Sequence, residues 1–185
     1  MKAVLSAALV FSLTISSSFA GTTRTVNADV KALGQLAMGW EEHSVKGKNA
    51  EEILKNYLEE NYGEERELVF KEYGEMAYGD EIDEGFTSVK SAILMSGFAE
   101  SALEEMLEGL DESSEAERIK EIKANIYDLN HGWAPVIKRL ERQGVKFGYS
   151  GNGPGYCGIS FVELLIVDEK EQKVYEVYLS EGGSC

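Results

Sequence analysis

From Ile159 to Val167 the chain reads Ile-Ser-Phe-Val-Glu-Leu-Leu-Ile-Val, almost continuously apolar. A run of this length, shorter than a helix would need and bounded by glycines and turn residues, predicts a central, buried β-strand. Two shorter runs flank it at period two. Val145, Phe147 and Tyr149 alternate with Lys146 and Gly148, and Lys173 to Leu179 alternates again. Together they predict a three-stranded antiparallel meander. If Asp168 faces Val174 across a five-residue loop, Ile159, Phe161, Leu165 and Val167 share a core face with Tyr175, Val177 and Leu179, and Glu163 is its misfit. The same register sets Cys157 opposite Cys185.

Upstream of Gly144 the period is helical. Asn27 or Asp29 is placed to cap a first helix with Val30, Leu33, Ala37 and Trp40 on one stripe. Asn49 with Glu52 has capping-box spacing, opening a helix that Gly63 ends. Residues 64–73 fit a helix through Leu68, Val69, Tyr73 and Met76 slightly better than an edge strand. Thr87 or Ser88 begins the longest helix, with Val89, Ile93, Leu103, Met106, Leu107 and Leu110 inward. Ser114 with Glu117 opens another, and after Asn130-His131-Gly132 a short one starts at Trp133 and Pro135 and stops at Gly144. The expected fold class is α+β: a layer of five or six helices up to Gln143, followed by the meander.

The first 20 residues have the form of a cleavable export signal. Lys2 is the positive region, Ala3 to Ile15 the apolar region, and Ser18-Phe19-Ala20 a small-residue cleavage site. Its apolar stretch is shorter than the roughly 20 residues of a membrane span. The expectation is a single domain over residues 21–185, soluble and not inserted in a membrane, in the periplasm or secreted. In such a compartment Cys157 and Cys185 are expected to form a disulfide. The competing role, Cys157 as a nucleophile with His131 as base, leaves the matching position of the second cysteine unexplained.

Charge is unevenly distributed. Residues 41–117 hold 23 acidic and 6 basic side chains, whereas residues 118–185 hold 9 of each. An acidic lobe disfavours nucleic acid and anionic membranes and suits a protein partner with a basic surface. Asp80, Glu81, Asp83 and Glu84 concentrate this charge in an expected loop between Tyr78 and Phe86. The loop lacks the alternating ligand order of a calcium-binding loop, so a solvated acidic surface is the expectation, with calcium-dependent folding as a variant.

Motifs for other chemistry are sparse. Gly153-Pro-Gly155-Tyr-Cys-Gly158 matches a dinucleotide-binding pattern in letters, but a strand follows it where a helix N-terminus is required. His43 and His131 are the two imidazoles. Neither lies in a zinc-protease spacing, His43 is expected near a helix end, and no metal site or cofactor is expected. These features favour an exported, non-enzymatic interaction protein of the inhibitor, immunity or accessory-subunit type. The alternative is a periplasmic hydrolase using His131 with a nearby carboxylate, at a cleft floored by Trp133 and the loop of residues 150–155.

Overall fold

The computed structural model describes residues 25–63, 68–71, 83–152 and 159–183. In chain order these form α1 (Val26–Leu36), β1 (Gly39–Ser44), α2 (Ala50–Tyr62), β2 (Val69–Lys71), β3 (Asp83–Thr87), α3 (Val89–Leu94), α4 (Ser96–Glu108), α5 (Ala116–Gln143), β4 (Lys146–Asn152), β5 (Ile159–Asp168) and β6 (Lys173–Gly183). The export-signal region, both cysteines, Asp80 and Glu81 lie outside the described residues.

All six strands join one sheet in the order β1-β6-β5-β4-β3-β2. Neighbours are antiparallel except β2 and β3, which run parallel. The class is α+β, but the expected helical layer followed by a three-stranded meander is overturned. The three expected strands are the centre of a six-stranded sheet, and its outer strands come from the N-terminal half of the chain, interleaved with the helices. Those outer strands are short and charged, Gly-Trp-Glu-Glu-His-Ser in β1 and Asp-Glu-Gly-Phe-Thr in β3. With so few apolar residues they carry little period-two signal, and ladder bonds to β6 and β4 hold them in place. Val69–Lys71, expected within a helix, is likewise a strand.

The sheet is covered on both faces. Val162, Leu164 and Ile166 of β5 join Tyr175, Val177 and Leu179 of β6 in a core with α1, α3, α4 and α5. Leu165, Val167 and Val174 point the other way, into a second core with Ile53, Leu54 and Leu58 of α2. The expected single core face therefore divides in two. The difference has a local cause. The β5–β6 loop is one residue shorter than expected, with Asp168 opposite Lys173. Asp168 shapes this turn by accepting hydrogen bonds from the amides of Lys170 and Glu171. A bulge after Val162 then inserts one residue on β6, so the strands end with Ile159 opposite Gly183, as the longer loop would have placed them.

Several helix boundaries differ from the periodic pattern. Thr25 caps α1, accepting from the Ala28 amide, and Trp40 belongs to β1. Asn49 caps α2 through the Glu52 amide and Gly63 ends it at φ 78°, as expected. The long helix from Val89 is two helices divided at Met95, and Leu94 at the division is exposed. Conversely, the two helices expected on either side of Asn130-His131-Gly132 are one, because Leu129, Trp133, Val136, Ile137 and Leu140 form an unbroken buried stripe. Pro135 lies on the exposed side of that helix. Trp133 donates its indole N–H to the Ala92 carbonyl at 2.9 Å, fastening α5 to α3. At Gly34, α1 approaches β1 so closely that an added Cβ would lie 2.4 Å from the Trp40 ring.

Asp29 is fully buried in α1 rather than capping it. Its Oδ1 accepts from Arg139 Nε at 3.2 Å and Nη2 at 3.0 Å, and its Oδ2 accepts from Gln143 Nε2 at 2.8 Å. Arg139 keeps a third of its side chain exposed, so the two partners are not equivalent. Arg139→Met is expected to cost up to about 3–5 kcal/mol, because it removes a guanidinium that offsets the charge of a fully buried carboxylate. Asp29→Ala is expected to cost less, since the guanidinium can reach water. Chemical denaturation of both variants measures the difference, and equal costs would contradict this asymmetry.

Candidate functional site

Strand alternation builds a polar cluster on the α2 side of the sheet. In β1, Trp40 packs into the core with α1 and α5, so Glu41 and His43 project to the other face. Glu41 stands directly opposite Glu176 of β6 in the ladder, and His43 opposite Val174. His43 Nε2 lies 3.1 Å from Glu176 Oε2 and 3.9 Å from Glu41 Oε2. The Tyr178 hydroxyl donates to that same Glu176 oxygen at 3.1 Å. The Tyr57 ring of α2 closes one side, 5.3 Å from the imidazole between ring centres.

The environments are graded. Glu176 is buried, His43 is partly covered and Glu41 is mostly exposed. Burial, reinforced by Glu176 and Glu41, holds the Tyr178 phenol far above its ordinary range, so it stays a hydrogen-bond donor at any physiological pH. The arrangement offers one imidazole nitrogen and two carboxylates to the same small volume. A second polar row crosses the sheet beside it, pairing Glu84 with Ser150, Ser150 with Glu163 and Glu163 with Tyr178. Glu84 and Ser150 are buried there.

The residues singled out in the sequence fall elsewhere. Of the acidic tract, Asp83 and Glu84 form the start of β3, and the buried Glu84 is no part of a solvated loop. His131 sits exposed on α5, its Nδ1 2.7 Å from the Tyr127 carbonyl and its ring stacked on Tyr127. Trp133 is buried in the core, so it floors no cleft beside His131. Ser150 to Asn152, expected in a connection, extend β4. The Glu41-x-His43 pair is hidden in the sequence because Trp40 continues the helical stripe of Val30, Leu33 and Ala37. No local period marks the pair, since β1 holds too few apolar residues to alternate.

The acidic lobe is also redistributed. α2 lies on one face of the sheet and α4 on the other, and the basic residues of α5 run beside α4. What persists is a concentrated tip where α4 turns into α5. Residues 104–117 contain seven carboxylates and no basic residue. Asp111 organises the turn by accepting from the amides of Ser113 and Ser114. The Ser113 hydroxyl, followed by those amide bonds, holds its carboxyl below the usual range.

A groove of about 680 Å³ lies between the starts of α2 and α3 and the end of α5. Its helix-end donors already have partners: the Ala50 amide bonds Glu169, and Ser88 accepts from Ser91. No helix among the described residues is long and apolar enough to cross a membrane. No known protein-family model, curated protein or solved structure matches this chain.

Proposed function

We propose that this chain is an exported, non-enzymatic interaction protein of the inhibitor, immunity or accessory-subunit type, and that it meets a basic protein surface through the tip between α4 and α5. The observation that carries this reading is the composition and exposure of that tip. Glu104, Glu105, Glu108, Asp111, Glu112 and Glu117 are exposed, with Met106, Leu107 and Leu110 half-buried between them. Among the described residues, Glu104, Glu105, Glu108, Glu112 and Glu117 have no ion-pair partner. Crowded like charges without counter-charges repel one another within the folded chain. A basic partner surface relieves that repulsion and is steered to the tip by it, while the apolar side chains provide area to bury.

Affinity capture at low salt from the extract of the compartment where the protein resides, followed by binding measurements on the captured partner, tests this. The triple change Glu104→Lys, Glu105→Lys and Glu108→Lys removes three exposed pairs of about 0.2–1 kcal/mol each, for a loss of roughly 3- to 100-fold in affinity. Retention of the same partner at 1 M salt, or no effect of the triple change, would contradict the electrostatic contact.

The Cys157–Cys185 disulfide is part of the same proposal. Its support is the register at the end of the described strands, where Ile159 faces Gly183, two residues short of each cysteine in the sequence. A bridge closing a loop of that length would stabilise by about 3–4 kcal/mol. Protein made in an oxidising compartment, denatured without reductant and treated with a maleimide, is expected to label at neither cysteine. Labelling at both would exclude the bridge.

A further inference from the structure

We propose that Glu41, His43 and Glu176 bind a divalent transition-metal ion of the zinc class, joining edge strand β1 to β6. This reverses the expectation that the chain has no metal site, and it rests on residues distinct from the acidic tip.

The argument begins with the ladder. Glu41 and Glu176 are directly opposed on adjacent antiparallel strands. Like charges in that position destabilise a strand pair, and a cation held by both would remove that repulsion. His43 lies two residues along β1 on the same face, with its Nε2 between the two carboxylates. The three donor atoms all lie within 4.8 Å of one another. Metal–nitrogen and metal–oxygen bonds of about 2.0–2.2 Å place neighbouring tetrahedral ligand atoms roughly 3.4 Å apart. The distances from His43 Nε2, 3.1 Å to Glu176 and 3.9 Å to Glu41, bracket that spacing. The two carboxylate oxygens lie within 4.8 Å of each other, so one ion would draw them together.

Ligand chemistry selects the ion. An imidazole with two carboxylates suits zinc, cobalt, nickel or manganese, whereas calcium and magnesium prefer an all-oxygen shell of higher coordination number. Binding exchanges any proton on His43 Nε2 for the cation, and both carboxylates enter ionised, so the complex carries no net charge when His43 is neutral. Three protein ligands leave a fourth position for water. The outer shell is also present. The Tyr178 hydroxyl donates to the ligating oxygen of Glu176, the kind of contact that orients a metal ligand. Tyr57 packs against the imidazole ring and limits its rotation.

The test uses the purified full-length chain after chelator treatment, titrated with Zn²⁺ by calorimetry and with Co²⁺ by visible absorption. One equivalent of each ion is expected to bind, with a cobalt spectrum diagnostic of nitrogen and oxygen ligands at low coordination number. His43→Ala and Glu176→Gln are expected to abolish saturable binding. Tyr178→Phe is expected to weaken it by about 10- to 100-fold while leaving the stoichiometry at one. Glu104→Gln with Glu105→Gln and Glu108→Gln is expected to leave the affinity unchanged. Far-UV circular dichroism and thermal melts of each variant confirm that the fold is intact. Absence of a one-equivalent event in the unmodified protein would overturn the proposal. So would unchanged affinity in a folded His43→Ala variant, or loss of binding in the acidic-tip variant, which would identify diffuse attraction to surface carboxylates instead.

Discussion

The structure depends on burying β5 from both sides. Its residues alternate between two hydrophobic cores, with Val162, Leu164 and Ile166 in one and Leu165 and Val167 in the other. A strand apolar on both faces is stable only where both faces are covered, because each exposed Leu or Ile would forgo about 1.5–3 kcal/mol of burial. Four helices cover one face and α2 covers part of the other. Gly148 shows how close that second cover lies: a Cβ there would meet Leu54 of α2 at 3.2 Å and the Gly85 carbonyl at 2.9 Å. The sheet then widens by hydrogen bonding, with β1 added beside β6 and β3 beside β4.

Unequal cover explains where the polar groups collect. A single helix of 13 residues spans only part of a six-stranded sheet. On the face that α2 shares, side chains change from Leu165, Val167 and Val174 to Glu163, Glu176 and Tyr178 within two ladder positions. The polar cluster of Glu41, His43, Glu176 and Tyr178 occupies that transition. There Glu176 is buried while Glu41 stays open to solvent. The acidic tip between α4 and α5 is a different kind of surface, with charge displayed rather than enclosed.

Legibility in the sequence followed the strength of local signals. The central strands stood out because Ile159–Val167 is apolar in almost every position, and the ends of α2 and α5 stood out because Gly63 and Gly144 adopt left-handed conformations. The N-terminal strands did not, since β1 owes its structure to partners in β6 at least 129 residues away and β3 to partners in β4 at least 60 residues away. Helix boundaries failed where tertiary burial outweighed a local breaker: Pro135 interrupts no buried stripe, so α5 continues through it. The polar cluster was hidden for a topological reason. Glu41 and His43 are two residues apart, but Glu176 joins them only because β6 returns beside β1. A five-residue β5–β6 loop, one longer than the actual turn, sets Leu165 and Val167 on the same face as Tyr175 and Val177 and conceals the need for a second helical cover.

Native-state hydrogen exchange across β5 tests two-sided burial most directly. The amides of Leu164 through Val167 are expected to exchange only through global unfolding, with the full denaturant dependence of that transition. Exchange of those amides through a smaller opening, with little denaturant dependence and well below the global free energy, would contradict a strand closed on both faces.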